Sequence, residues 1–178
     1  MKLIAGLGNP GSKYKNTRHN AGAIILENWF KNQNFNNIEL NKKIGAKISK
    51  NENLTIAFPQ TFMNESGISI RKIAKQFNIK PNSILILHDD SDLFVGEYKM
   101  HYKRGSAGHK GVESIIDHLK TEDFWRLRIG IRPKTAGARQ KAEDFVLKKF
   151  GLNELKIITN LVEEASESIQ KWLMGINC

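Results

Sequence analysis

Apolar residues in this chain follow two alternating periodicities, and this alternation is the feature that most constrains its fold. Short apolar runs at residues 2–7 and 83–87 have the length and composition of buried strands. The segment after Asn20, itself a good N-cap, instead repeats apolar residues at helical spacing. Both crossover and hairpin connections are implied. The pattern therefore predicts an α/β fold in which a single mixed, twisted sheet is flanked by helices.

The same signals predict the remaining elements. Further strands are predicted at residues 44–50, 54–58, 95–102 and 125–131. Further helices are predicted before Pro81, at residues 112–119 and, as two helices, at the end of the chain, the longer with an apolar stripe over residues 158–173. No repeat or flexible linker divides the sequence, so we expect one domain over residues 1–178.

Composition narrows the class of protein. The 178 residues include 28 Lys and Arg against 18 Asp and Glu, a formal net charge of +10. Such a charge attracts polyanions such as nucleic acid, although a basic surface can also serve solubility alone. Cys178 is the single cysteine, which excludes an intramolecular disulfide and a cysteine zinc cluster and favours a reducing cytoplasm. No apolar run approaches about 18 residues, so we expect no signal peptide and no membrane segment.

A glycine-rich motif, Gly6-Leu7-Gly8-Asn9-Pro10-Gly11, follows the first predicted strand. It matches the pattern of dinucleotide-binding folds, in which the last glycine opens a helix. Here residues 12–18 intervene before the predicted helix, so we reject a dinucleotide site. The motif is either a tight turn or a loop that contacts substrate.

Two candidate catalytic side chains lie at the ends of predicted elements. His19 directly precedes a helix, whose dipole disfavours an imidazolium and should keep the ring neutral near pH 7. A neutral imidazole can act as a general base, although His19 can equally be a capping residue. Asp89 follows a buried strand in the polar run 88–92, which can hold Mg²⁺, orient a histidine or form a solvated turn. Sequence spacing does not place Asp89 beside His19.

Two further segments carry candidate binding residues. Asn64 either caps the next helix or offers an amide that both donates to and accepts from a ligand. The glycine-punctuated segment 99–111 is the best candidate for phosphate binding, or else a mobile basic loop. Its cationic and aromatic side chains are Lys99, His101, Tyr102, Lys103, Arg104, His109 and Lys110. Arg126 and Arg128 share one strand face and either extend that surface or form cross-strand ion pairs.

Several motifs occur in an order that is specific to one protein family. They are Leu3-Ile4-Ala5-Gly6-Leu7-Gly8-Asn9-Pro10-Gly11, Tyr14 with Thr17-Arg18-His19-Asn20-Ala21-Gly22, Pro59-Gln60-Thr61-Phe62-Met63-Asn64-Glu65-Ser66-Gly67, His88-Asp89-Asp90 with Asp92, Gly105-Ser106-Ala107-Gly108-His109, and Arg126-Leu127-Arg128-Ile129-Gly130-Ile131. In these motifs, and along nearly its whole length, the chain resembles the bacterial peptidyl-tRNA hydrolase family.

The resemblance implies hydrolysis of the ester that joins a peptide to the 3′ end of tRNA, without a metal or cofactor. It implies that His19 is the general base that activates water and that Asp89 orients its imidazole. Asn9 and Asn64 are implied to bind the terminal backbone of the substrate and polarise the ester carbonyl, beside the pocket residues Tyr14 and Met63. Side chains implied to hold tRNA phosphates are Lys99, His101, Lys103, Arg104 and Arg128. The implied partner is peptidyl-tRNA, and a monomer is the default expectation.

One residue departs from the family pattern beside the implied site. The family usually has Gly-His-Asn-Gly where this chain has Gly108-His109-Lys110-Gly111. Lysine donates hydrogen bonds but accepts none. Lys110 could therefore bind substrate, lower the pKa of His19 and compete for Asp89, or neutralise an oxyanion. Ser91 and residues 94–95 also depart from the pattern, so the path of the chain after Asp92 is not predicted.

Two alternative functions stay open at this point. An RNA-binding relative with weakened or lost esterase activity is suggested by Lys110, while retention of the four polar residues implied for catalysis argues against it. A metal-dependent nuclease is suggested by Asp89, Asp90 and Asp92, since clustered carboxylates can hold Mg²⁺.

Overall fold

One mixed sheet organises the computed structural model, which describes residues 1–33, 35, 37–134 and 141–176, so that Cys178 lies outside the described residues. Its strands are β1 (Lys2–Gly6), β2 (Glu39–Asn41), β3 (Ala46–Lys50), β4 (Leu54–Pro59), β5 (Ile84–Phe94), β6 (Tyr98–Tyr102) and β7 (Trp125–Arg132). Their order is β2-β3-β4-β1-β5-β7-β6. The pairs β4–β1, β1–β5 and β5–β7 are parallel, and the pairs towards both edges are antiparallel.

Helices cover both faces of this sheet. They are α1 (Ala21–Lys31), α2 (Ser66–Gln76), α3 (Lys110–Leu119) and α4 (Leu152–Met174). Successive strand residues point to opposite faces, so Ile4 joins the core formed with α1 and α4, whereas Leu3 joins the core formed with α2 and α3. The predicted α/β class with a mixed, helix-flanked sheet is confirmed.

The start of α1 lies directly against the backbone of β5. A Cβ atom added at Gly22 would lie 2.1 Å from the carbonyl oxygen of Leu87 and 3.0 Å from the Cα atom of His88. Glycine therefore permits a backbone approach that any side chain would block. This contact fixes the turn that precedes α1 beside the polar end of β5.

Three predicted elements differ from the structure. The strand predicted at 83–87 continues as β5 through Phe94, because His88, Asp89 and Asp90 remain paired with β7. The strand predicted at 95–102 begins only at Tyr98. In place of two closing helices, the described residues contain a single 3-10 turn, Ala142–Asp144, followed by the long helix α4. The short edge strand β2 has no counterpart among the predicted elements.

None of the helices among the described residues combines the length and the hydropathy needed to cross a membrane.

Candidate active site

A cavity of about 170 Å³ lies at the carboxyl end of β5. In parallel sheets, this edge is where ligands usually bind. Residues from the turn before α1, from β5, from β7 and from the start of α3 line it, among them His19, Asp89, Arg104, His109, Lys110, Arg126 and Arg128.

His19 and Asp89 meet in this cavity, as the catalytic interpretation requires. The Nδ1 atom of His19 lies 2.8 Å from Oδ1 and 2.9 Å from Oδ2 of Asp89. His19 belongs to the 3-10 turn Arg18–Asn20, and its backbone N–H donates to the carbonyl of Val146 at 2.8 Å. Because Nδ1–H donates to the carboxylate, Nε2 is the unprotonated nitrogen of the neutral ring. The arrangement leaves that lone pair available as a base.

The protonation equilibrium of His19 differs from the sequence prediction. Burial lowers the pKa of this imidazole, but the charge of Asp89 and its hydrogen bond raise it further, so that the pKa is above its ordinary value. The predicted depression by the helix dipole is therefore wrong. A carboxylate at contact distance outweighs the partial charge of a helix end.

His109 also binds Asp89, a contact that the sequence analysis missed. Its Nε2 atom lies 2.8 Å from Oδ1 of Asp89. Its Nδ1 atom accepts from the backbone N–H groups of Gly111 and Val112, at 3.1 and 3.3 Å, so the imidazole is the N-cap of α3. The sequence signal is a polar residue three positions before the predicted helix 112–119, whereas the sequence analysis groups His109 with the phosphate-binding candidates.

Asp89 is buried yet strongly acidic. Burial alone would raise the pKa of its carboxyl group, but the imidazoles of His109 and His19 lower it well below its usual range. The carboxylate thus stays ionised while it accepts from both rings.

The donor set His19, Asp89 and His109 is the one group among the described residues whose ligand atoms approach as metal ligands do. A metal bound at Nε2 of a neutral His109 would require a proton on Nδ1. That nitrogen already accepts two backbone N–H groups. The hydrogen bonding of His109 therefore fits a proton donor to Asp89 better than a metal ligand.

The carboxylates considered for Mg²⁺ do not converge. Asp90 Oδ2 accepts from Nε of Arg128 at 2.6 Å, and Asp90 Oδ1 accepts from the backbone N–H of Asp92. Asp89 faces the two imidazoles, while Asp92 is exposed. This geometry contradicts the three-aspartate site behind the nuclease hypothesis.

Asn9 and Asn20 connect the glycine-rich loop to the turn that carries His19. Asn20 Oδ1 accepts from the backbone N–H of Asn9 at 2.9 Å, and Asn20 Nδ2 donates to the Asn9 carbonyl at 3.0 Å. Asn9 Oδ1 accepts from the Met63 N–H at 2.8 Å. Asn20 occupies the predicted N-cap position of α1, but its side chain holds the glycine-rich loop and does not cap the helix.

The other predicted pocket residues, Tyr14, Met63 and Asn64, do not line this cavity. Met63 is buried, and a Cβ atom at Gly111 would lie 2.5 Å from its sulfur. Tyr14 packs edge-on against Phe62, with ring centroids 6.5 Å apart. Asn64 is exposed in the 3-10 turn Met63–Glu65, and its side chain does not cap α2, whose N-cap is Glu65. The capping alternative for Asn64 is therefore wrong.

The predicted phosphate-binding residues differ in exposure: three are exposed, and Arg128 is buried in an ion pair. Lys99 and Arg104 are exposed, as is Lys103, which pairs with Asp123 at 3.0 Å. Arg128 instead forms a buried cross-strand ion pair with Asp90. Of the two roles considered for Arg128, the ion pair is the one found, and its guanidinium does not project as a free phosphate ligand.

His101 lies between these groups on the edge strand β6. It pairs in register with Arg126, and Lys99 pairs with Arg128. Burial lowers the pKa of His101, and the neighbouring guanidinium groups of Arg128 and Arg104 lower it further. His101 therefore favours its neutral form in this cationic environment.

Lys110 does not occupy the centre of the site. It is the first residue of α3, and its ammonium pairs with Glu113 at 3.1 Å while remaining largely exposed. The hypothesis that this ammonium competes for Asp89 is wrong, because the competing donor is the imidazole of His109. Lys110 lies at the rim of the cavity.

Comparison with known proteins decides the family. The model of the peptidyl-tRNA hydrolase family matches residues 3–177. The chain belongs to this family. Similar relatives are the peptidyl-tRNA hydrolases of Oceanobacillus iheyensis, 39% identical over 98% of this chain and 94% of the relative, and of Hydrogenobaculum, 43% identical over 94% and 88%.

A solved structure of this family shows the same fold. The crystal structure of peptidyl-tRNA hydrolase from Acinetobacter baumannii has a TM-score of 0.88 and 32% identity, covering 98% of this chain and 89% of that one. Membership of the peptidyl-tRNA hydrolase family, together with the position of Lys110, leaves the RNA-binding relative with lost esterase activity unsupported.

Proposed function

We propose that this chain hydrolyses the ester between peptide and tRNA in peptidyl-tRNA. The observation that carries the proposal is the contact between His19 Nδ1 and Asp89, which fixes the imidazole with Nε2 as its free base nitrogen. Membership of the peptidyl-tRNA hydrolase family supports the choice of substrate.

The reaction is a general-base hydrolysis. His19 Nε2 takes a proton from water, the water oxygen bonds to the ester carbonyl carbon, and the carbonyl oxygen becomes an oxyanion. Collapse of this tetrahedral intermediate breaks the bond to the 3′ oxygen of tRNA, which receives the proton from the imidazolium. The ionised carboxylate of Asp89 stabilises the imidazolium between these two steps. Water and ester are thereby converted to a free peptide and a free tRNA, and no step needs a metal or cofactor.

Asn9 and Asn64 are proposed to hold the peptide end of the substrate. The amide oxygen of Asn9 accepts from the Met63 N–H. The Asn9 Nδ2 group is therefore a donor without a partner among the described residues. Such amide donors can hold a peptide carbonyl or stabilise the oxyanion. Tyr14 and Met63 are proposed to shape the wall of this pocket.

The tRNA phosphates are proposed to lie along Lys99, His101, Lys103 and Arg104. This proposal is supported by the position of these residues on or next to β6, which is an edge strand, and by the exposure of Lys99, Lys103 and Arg104. Because Arg128 is paired with Asp90, its proposed contribution is to shape this surface. Lys110 is proposed to bind the substrate from the cavity rim.

The site is proposed to be complete in a monomer, since His19, Asp89 and His109 all come from one chain. A cytoplasmic location follows from the proposed substrate, which is a product of translation.

Release of labelled N-acetyl-aminoacyl groups from charged tRNA, measured in EDTA, tests this function. We expect the wild-type protein to release the label and leave the tRNA at full length. His19→Ala should slow release about a thousandfold, because it removes the general base. The matched control is His118→Ala, which removes an α3 histidine bonded to the carbonyl of Ser114 outside the cavity.

Three results would contradict the proposal. They are loss of wild-type activity in EDTA, shortening of the tRNA, and full activity in the His19→Ala variant.

A further inference from the structure

We infer that His109 is a positioning residue that holds Asp89 through its Nε2–H group and thereby limits how strongly Asp89 binds the imidazolium of His19. The inference rests on the function proposed above, in which His19 is the base. It concerns a histidine that does not need to touch substrate or water.

The hydrogen bonds of His109 fix the position of its proton. Nδ1 accepts from the N–H groups of Gly111 and Val112, and a nitrogen that accepts carries no proton. The ring proton is therefore on Nε2, which donates to Oδ1 of Asp89 at 2.8 Å. The first amides of α3 thus determine which tautomer Asp89 encounters.

The same carboxylate oxygen accepts from His19. Nδ1 of His19 lies 2.8 Å from Oδ1 of Asp89, and the two imidazole centroids are 5.1 Å apart. A carboxylate that already accepts one N–H holds its charge less fully for a second donor. His109 therefore stabilises the ionised Asp89 and competes with the imidazolium of His19 for it.

No other charged group among the described residues lining the cavity is hydrogen-bonded to the carboxylate of Asp89, so only His19 and His109 compete for it. His88, from β5, packs edge-on against His109 with centroids 4.7 Å apart. Burial, with His109 and Arg126 nearby, lowers the pKa of His88 well below its ordinary value, so it adds no charge near neutral pH. The other charged side chains lining the cavity are Asp90, Asp92, Arg104, Lys110, Arg126, Arg128 and Glu143. Asp90 pairs with Arg128, and Lys110 with Glu113.

Two substitutions separate the two hydrogen-bonding roles of His109. Asparagine places an acceptor near the position of Nδ1 and is a preferred N-cap, but it is too short to replace Nε2. Glutamine places an amide N–H near the position of Nε2, but it lacks the capping acceptor. His109→Asn therefore keeps the cap and removes the bond to Asp89, whereas His109→Gln keeps that bond and weakens the cap.

The two variants should differ in kcat and in their pH profiles. For His109→Asn we expect kcat to fall about tenfold with KM unchanged, because Asp89 loses the hydrogen bond that holds its carboxylate in position against His19. The acidic limb of kcat/KM should move up by ~0.5–1 pH unit, since Asp89 then binds the imidazolium of His19 more strongly. His109→Gln should recover most of kcat and keep the wild-type limb. His118→Asn, elsewhere on α3, is the matched control and should change neither quantity.

A titration that needs no turnover provides an independent measurement. The Cε1–Hε1 signal of His19, followed by NMR against pH, should titrate at higher pH in His109→Asn than in the wild type. The inference would be overturned if His109→Asn shifted neither the NMR titration of His19 nor the acidic limb of kcat/KM. It would also be overturned by a His109→Gln variant as impaired as His109→Asn, because the role would then be capping alone. If the wild type released no peptide, the proposed function would fail, while the titration would still decide the role of His109.

Discussion

At the residue scale, His19 and His109 both stabilise the ionised form of Asp89, but each weakens the hydrogen bond of the other to it. His19 and His109 both donate to its carboxylate and keep it ionised. Each bond also draws on the same negative charge, so strengthening one weakens the other. Removing the carboxylate and removing His109 should consequently move the titration of His19 in opposite directions.

Asp89→Asn provides the first half of that comparison. An amide cannot stabilise the imidazolium as a carboxylate does, so kcat should fall at least about a hundredfold. Burial would still lower the pKa of His19, but the charge that raises it would be gone. The acidic limb of kcat/KM, which rises as the base loses its proton, should therefore move to lower pH. A pH profile of single-turnover release measures both effects.

Asp117→Asn is the matched control for this prediction. Asp117 is an exposed carboxylate on α3, so its replacement changes the net charge equally without touching the cavity. An Asp89→Asn limb that stays in place or moves to higher pH would show that Asp89 does not set the protonation of His19.

Residue identity was predictable here, whereas contact was not. Buried-strand and helix-start signals selected His19 and Asp89, but the residues are 70 positions apart and no local pattern encodes their approach. The prediction that the helix dipole lowers the pKa of His19 is wrong because the opposing charge of Asp89 is larger. A helix end carries about half an elementary charge, less than the full charge of a carboxylate in direct contact with the ring.

At the scale of elements, the site depends on the distance between α1 and β5. Gly22 allows the helix to contact the Leu87 carbonyl, and that contact sets the separation between the turn of His19 and the strand of Asp89. The ring and the carboxylate then meet without a long loop. Packing of backbone on backbone is stiff, which suits a site that needs a fixed distance.

Gly22→Ala should damage stability and activity together. Its methyl group would overlap the carbonyl of Leu87, so α1 must move away from β5. We expect a loss of about 3 kcal/mol of unfolding free energy, and a fall in kcat because His19 moves with the helix. Urea unfolding and single-turnover release measure the two quantities.

Gly105→Ala is the comparison variant for stability. Its Cβ atom would meet nothing closer than 3.6 Å, and the backbone there has ordinary φ. It should unfold at nearly the wild-type urea concentration. Equal stability of Gly22→Ala and the wild type would refute the proposed role of the close contact.

Element types were easier to predict than element ends. The alternation of apolar runs indicated β1, β4, α2, α3 and β7 close to where they lie. The end of β5 was placed too early, because polar residues such as Asp89 suggested a loop. Hydropathy marks where the apolar residues of a strand end, although His88 and Asp89 beyond that point are still buried. The ladder with β7 continues further, into the functional site.

At the scale of the whole molecule, the excess of basic residues bears on the proposed binding of tRNA. A net charge of +10 attracts a polyanion to any face. The face proposed to bind tRNA carries the exposed cations Lys99, Lys103 and Arg104, which lie on or directly after the edge strand β6, and Arg104 also lines the cavity. Sequence alone could not separate them from Arg128, which is equally basic but paired in the interior with Asp90.

Binding of tRNA should weaken as salt increases, with a slope that reports individual contacts. Lys99→Gln should reduce the magnitude of the slope of log K against log salt by about 1, because one phosphate contact is lost. Lys80→Gln is matched in charge but lies before the amino end of β5, and it should leave the slope unchanged. Fluorescence anisotropy over a salt series provides the slopes. Identical slopes for Lys99→Gln and the wild type would remove Lys99 from the tRNA surface.

The backbone around His19 has a consequence for the order of synthesis. Arg18 and His19 donate to the carbonyls of Lys148 and Val146, and Thr17 forms a bridge with Lys149. The turn that holds the base therefore acquires these partners only after residues 146–149 have been translated. Since these contacts cannot form before both segments have been made, the nascent chain carries an incomplete site until residues 146–149 have been added and have left the ribosome.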